Sequence, residues 1–176
     1  MTKQIEIEHR ARFSKEEHDR LLAFLQQNGK DLGKDDKNVY FFTFPDKLLK
    51  VTDNISKSTA KITGKLSRIG EGSGFEEVEF PIAREDVQRA VELFKRFGFT
   101  EVHDSFQSRH NFEYKDVEIA LKYSKMWGHH AELEIVIDDE TKKDEADQRI
   151  MSVAEELGIT LMTEEELKVF INQKET

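Results

Sequence analysis

Glu6 and Glu8 stand two residues apart and are followed at the same spacing by Arg10 and Arg12. On a strand, side chains alternate between two faces. Residues 3–13 (KQIEIEHRARF), read as a strand, put Gln4, Glu6, Glu8, Arg10 and Arg12 on one face. Ile5, Ile7, Ala11 and Phe13 take the other, with His9 among them. The pattern recurs. Lys61 and Lys65 share a face with Thr59, Thr63 and Ser67, and Glu77 shares one with Glu79. Further on come Gln107, Arg109 and Asn111, then Glu118, Lys122 and Ser124, then Glu132 and Glu134. The opposite faces carry Val78 and Phe80, Ile119 and Leu121, and Leu133 and Ile135. Carboxylates suit a hard divalent cation such as Mg²⁺ or Mn²⁺. Lys and Arg suit phosphate oxygens. One cavity holding both would favour phosphoryl or nucleotidyl transfer.

Two arrangements fit these faces. In one, a half-buried antiparallel sheet turns its charged side to water. In the other, the sheet closes with its charged side inward and its apolar side under helices. Glutamate is a poor strand former, yet three strands carry an E-x-E pair. That favours the second arrangement.

The elements that must position these residues follow from pattern and punctuation. Strands are expected over 3–13, 38–44, 47–53, 58–68, 75–82, 101–114, 117–126 and 129–138, with turns at Pro45-Asp46, IGEGSG (69–74) and Lys115-Asp116. Helices are expected over 15–28, 84–97 and 143–157, each stopped by glycine. Ser14 with Glu17, and Thr163 with Glu166, have capping-box spacing; the second opens a short C-terminal helix. Residues 29–37 (GKDLGKDDK) read as a mobile polar loop. About eight strands, mostly adjacent in sequence, imply an α+β chain with an eight-stranded antiparallel β-barrel.

Length and charge set the outer bounds. The 176 residues suit a single domain, 1–176. With 36 acidic and 27 basic residues the net charge is -9, which argues against a general nucleic-acid or anionic-membrane binder. There is no cysteine, so neither a disulfide framework nor a thiolate metal site exists. No apolar run nears membrane-spanning length, and a soluble, cytoplasmic protein is expected. P-loop, nucleophile-elbow and zinc-protease motifs are absent. Monomer and homodimer both remain open.

Taken in order, the charged segments resemble the CYTH superfamily, the triphosphate tunnel metalloenzymes, which include class IV adenylyl cyclases, thiamine triphosphatases and inorganic triphosphatases. Its opening E-x-E-x-K is similar to Glu6-Ile7-Glu8-His9-Arg10. LLKVTD supplies Lys50, AKITGK supplies Lys61 and Lys65, FEEVEF supplies Glu77 and Glu79, QSRHNF supplies Arg109, and GHHAELEIV supplies Glu132 and Glu134. The resemblance runs over about residues 3–172. It implies an eight-stranded tunnel that binds a small-molecule triphosphate, with Glu6, Glu8, Glu132 and Glu134 holding Mg²⁺ or Mn²⁺. Arg10, Arg12, Lys50, Lys61, Lys65, Arg109 and Lys122 would contact substrate, with Arg10, Lys61 and Arg109 at the reacting phosphates. The chain departs from the family pattern at four places. Arg10 and Gln107 stand for lysines, Lys50 for an arginine, and Lys122 for an aspartate metal ligand.

The expected activity is metal-dependent hydrolysis of an inorganic, nucleoside or thiamine triphosphate. Cyclic AMP formation from ATP and non-catalytic binding of a polyphosphate or nucleotide are the alternatives. Trp127 reads as a rim or packing residue, with base stacking as the sharper possibility. His129 and His130 face opposite ways on their strand, so both cannot easily ligate one metal, and neither is expected to line the site. His9 and His110 face away from it, His9 buried and hydrogen-bonded, and Tyr40, Phe41, Phe42 and Phe44 read as core.

Overall fold

The computed structural model describes residues 5–44, 47–66, 74–99 and 101–175. Gln4, Ser67, the Pro45-Asp46 turn and residues 69–73 of the glycine-rich turn lie outside these segments. In chain order the elements are β1 (Ile5–Arg12), α1 (Lys15–Asn28), β2 (Lys30–Lys34), β3 (Lys37–Thr43), β4 (Leu48–Asn54), β5 (Thr59–Lys65) and β6 (Gly74–Ile82). There follow α2 (Val87–Arg96), β7 (Glu101–Tyr114), β8 (Val117–Ser124), β9 (Gly128–Ile137), α3 (Lys143–Leu157) and α4 (Glu164–Glu175).

All strand pairings are antiparallel. They run β3-β4-β5-β6-β1-β9-β8 and return through β7, which pairs with both β8 and β3. The ring has eight strands, as the alternating faces predict. Residues 29–37 correct the expectation of a loop, because they contain β2. This short strand pairs with residues 110–113 of β7, and β3 takes up the same edge again at Gln107. Asp35 and Asp36 bridge the break: Asp35 N donates to the Arg109 carbonyl at 2.8 Å, and Arg109 N donates to Asp36 Oδ1 at 2.9 Å. Backbone pairing along an existing edge needs no apolar alternation, so β2 left no hydrophobic pattern to read.

The outer faces pack under helices in two cores. Leu21 and Leu25 of α1, and Ile150, Val153 and Leu157 of α3, cover Ile7, Ile119, Leu121 and Leu133. Val87 and Val91 of α2 cover Phe42, Val51 and Ile62. Each fully buried large aliphatic contributes about 1.5–3 kcal/mol. One of the two expected capping boxes forms in full, at Thr163, while at Ser14 only the N-cap bond forms and the Glu17 carboxylate turns to Arg20. Ser14 Oγ accepts from Glu17 N, and Thr163 and Glu166 exchange bonds in both directions. The helix expected over 84–97 begins as a 3₁₀ turn at Arg84–Asp86, so α2 starts later, at Val87. Among the described residues no helix is long and apolar enough to cross a membrane.

The inner faces are charged and covered. Glu8, Arg10, Lys65, Lys122 and Glu132 are all buried. Ionised side chains are almost never buried unless paired. Their burial therefore decides between the two sheet arrangements: the charged side points inward.

Candidate functional site

The ring encloses a cavity of about 340 Å³ lined from all eight of its strands. Its wall carries eight Lys or Arg side chains and seven Asp or Glu. An acidic chain thus encloses a slightly basic chamber, and net charge gave no hint of it.

The cross-strand register divides the wall. Glu8 lies opposite Glu134, and Arg10 lies opposite Glu132. At the first position, Glu6, Glu8 and Glu134 each bring a carboxylate oxygen within 4.8 Å of the others. Burial and the neighbouring Glu6 and Glu8 push the Glu134 carboxyl up to about 9. Three converging carboxylates form a donor set suited to a hard cation. Lys65 supplies part of the missing charge, at 2.7 Å from Glu6, 3.5 Å from Glu8 and 2.7 Å from Glu77. Burial works against the Lys65 ammonium, but Glu8, Glu6 and Glu77 raise it well above the usual lysine range. Lys50 stands 4.0 Å from Glu77 and is lowered to about 8 by burial and by Lys65.

At the second position the signs are opposite. Glu132 accepts from Arg10 Nε at 3.2 Å, lies 3.3 Å from an Arg109 terminal nitrogen and 2.9 Å from Lys122 Nζ. Burial opposes its ionisation, yet Lys122, Arg10 and Arg109 hold its carboxyl well below the usual range. Glu132 is therefore not brought into the Glu6–Glu8–Glu134 cluster. Arg10 also pairs with Glu8 and so joins the two positions. Lys122, only 5% exposed, is lowered to about 8, chiefly by burial. Asn111 accepts from Arg109 Nε at 2.7 Å and donates to Glu118 at 2.9 Å, which fixes the guanidinium plane.

One expected site residue, Arg12, sits outside the cavity, and a second, Lys61, only at its rim. Arg12 lines a separate groove beside α4, its Nε donating to the Trp127 carbonyl at 3.1 Å and its guanidinium 4.3 Å from the centre of the Phe170 ring. Lys61 reaches the cavity rim, where its side chain is 44% exposed and pairs with Glu79 at 2.5 Å. Gln107 and Phe41 both line the cavity, so Phe41 is not simply core. His9 bonds Asp147 at 2.6 Å, and His110 bonds Asp31 at 2.8 Å. Of the adjacent histidines, His130 faces the cavity, against expectation; its imidazole is held neutral, down to about 3, mainly by burial and then by Lys122. Trp127 lines one end, stacked on His130 with centroids 5.3 Å apart and tilted against Phe170 at 4.6 Å. Its neighbours are protein side chains, as a packing role predicts.

The sequence reading missed Asp35. This buried carboxylate takes Lys37 at 2.8 Å, Lys57 at 3.1 Å, Asn54 at 2.5 Å and Arg109 Nε at 3.6 Å. It lies in the break between β2 and β3, outside every alternating run, and only the doubled aspartate could have drawn attention to it.

The model of the CYTH domain matches residues 4–167. Comparison with curated proteins finds no significant match. Among solved structures, a conserved hypothetical protein from Pyrococcus furiosus is 25% identical, with a TM-score of 0.76 over 89% of this chain and 94% of its own. A Pyrococcus horikoshii OT3 protein is 26% identical, with a TM-score of 0.74 over 92% of this chain and 99% of its own. A candidate adenylyl cyclase from Hippeastrum, described as having a dominant triphosphatase activity, is 18% identical, with a TM-score of 0.66 over 97% of this chain and 96% of its own. The antiparallel ring, its charged interior and a domain match over nearly the whole length agree: the chain belongs to the CYTH domain family.

Proposed function

We propose that this protein hydrolyses a small-molecule triphosphate in a reaction dependent on Mg²⁺ or Mn²⁺, with residues 1–176 working as one domain. The observation that carries the reading is the separation, inside one cavity, of a three-carboxylate donor set from a three-cation cluster. Glu6, Glu8 and Glu134 would hold the ion. When bound, it would supply Lewis acidity toward the phosphoryl oxygens. Arg10, Arg109 and Lys122 would hold the remaining phosphate oxygens through charge-assisted bonds. Arg10, paired with both Glu8 and Glu132, would keep the two clusters in register. Lys50 and Lys65 would neutralise charge at the carboxylate end. Phosphoryl transfer asks little covalent chemistry of a protein; positioning and charge stabilisation supply most of the rate.

Hydrolysis is favoured over cyclisation because Trp127, the chain's only tryptophan, already packs against His130 and Phe170 rather than standing open to a base. The Hippeastrum relative, with its dominant triphosphatase activity, leans the same way. Phosphate release from tripolyphosphate, ATP and thiamine triphosphate, with and without Mn²⁺, tests the reading. Mn²⁺-dependent release from at least one of them is expected. Release from none, or release unchanged by chelator, would overturn it.

A further inference from the structure

Among the wall carboxylates that the proposed reaction does not use, two are buried and enclosed by cations. Glu132 is enclosed by Arg10, Arg109 and Lys122. Asp35 is enclosed by Lys37, Lys57 and Arg109, with Asn54 completing its bonds. Arg109 touches both, so the two stand on either side of one guanidinium. Both are buried. Neither belongs to the cluster of Glu6, Glu8 and Glu134. Each occupies the place at a group of cations where an anionic oxygen would sit.

We propose that Glu132 and Asp35 are positioning residues: built-in counter-anions that hold the cations of the cavity in phosphate-binding geometry and compete with the phosphates for them. The inference rests on the triphosphate reading. Its physical basis is the cost of burying like charges together. Arg10, Arg109 and Lys122 would repel one another without an anion among them, and long side chains would lose their common orientation. A carboxylate supplied by the chain itself avoids that cost before substrate arrives. It also weakens substrate binding, because phosphate must share or displace it. The amide of Gln or Asn keeps the shape and removes the charge. Such a change should tighten anion binding while loosening the geometry on which turnover depends.

Glu132→Gln and Glu134→Gln separate this role from metal ligation. Calorimetry with Mn²⁺ alone should show Glu132→Gln within about twofold of the unaltered protein, and Glu134→Gln weakened at least tenfold. Calorimetry with tripolyphosphate in chelator should show Glu132→Gln binding about five- to tenfold tighter. In turnover, KM and kcat should both fall, and Glu132→Asp should recover kcat in part. Asp35→Asn, in the break between β2 and β3, should show the same split in milder form, and it tests the idea should Glu132→Gln fail to fold. A tenfold loss of Mn²⁺ affinity in Glu132→Gln, or tripolyphosphate binding unchanged or weaker in both variants, would overturn the inference. Those results would leave the proposed function standing. Absence of tripolyphosphate, ATP and thiamine triphosphate binding in the unaltered protein would remove both.

Discussion

Strands β1 and β9 build both halves of the cavity, and the halves differ by one step of the pleat. At Glu8 and Glu134 the facing residues have like charge; two residues on, at Arg10 and Glu132, they have opposite charge. The step is only about 6.6 Å along a strand. The opposite pair, with Lys122 and Arg109 beside it, stays ionised. The like pair does not: burial and its neighbours leave Glu134 holding a proton up to about pH 9. One half is complete as folded. The other is left short of positive charge, and that shortage is what makes it a metal candidate.

The contrast can be broken from the complete side first. Arg10→Ala strips partners from Glu8 and Glu132 together, and breaking a buried pair costs about 3–5 kcal/mol. Chemical denaturation should show that loss, with Arg10→Lys recovering part of it. On the incomplete side, Glu134→Gln should leave folding intact but lower the turnover of triphosphate by roughly 10²–10³-fold, the scale on which an electrostatic group at a reacting centre is felt. A steady-state assay at saturating Mn²⁺ measures it. Lys122→Ala should weaken tripolyphosphate binding by about 1.5–3 kcal/mol, as expected for a charge-assisted hydrogen bond; titration calorimetry reads the change directly.

A smaller effect sharpens the comparison through pH. The folded-state value for Glu134 lies above its ordinary one of 4.5, so between them the folded chain binds more protons than the unfolded chain. That contribution to stability is present below about pH 4.5 and is lost as pH rises toward about 9. In chelator the melting temperature should fall from pH 6 to pH 9, and Glu134→Gln should flatten the slope. The least effect belongs to Lys61. Its exposed pair with Glu79 is worth under about 1 kcal/mol, and Lys61→Ala should change both melting and tripolyphosphate affinity little.

The ring and its inward charge were legible because alternation has a fixed period. Glu6, Glu8 and Arg10 could not face the cavity without Ile5, Ile7 and His9 facing the helices. The N-cap at Ser14 and the capping box at Thr163 were legible for a similar reason, since their spacing is local. The grouping of the glutamates was not. Whether Glu132 or Glu134 faces Glu8 depends on the register of β1 against β9, which no single strand reveals. Arg12 was misplaced because alternation gives a face but not how far along a strand the cavity extends. Asp35 was invisible because β2 and β3 meet there by backbone pairing alone.

The pairing of β1 with β9 also has a consequence in time. Arg10 and Glu132 are 122 residues apart in the chain. Loops of that span close late, after the local hairpins. During synthesis the early carboxylates Glu6 and Glu8 must wait, unpaired with Glu134, until β9 has left the ribosome. A nascent chain ending after β8 would hold all of the cations proposed to bind phosphate and only part of the proposed metal site. Ribosome-bound fragments should therefore acquire Mn²⁺ affinity in a single jump, when β9 emerges, and that jump would date the closing of the ring.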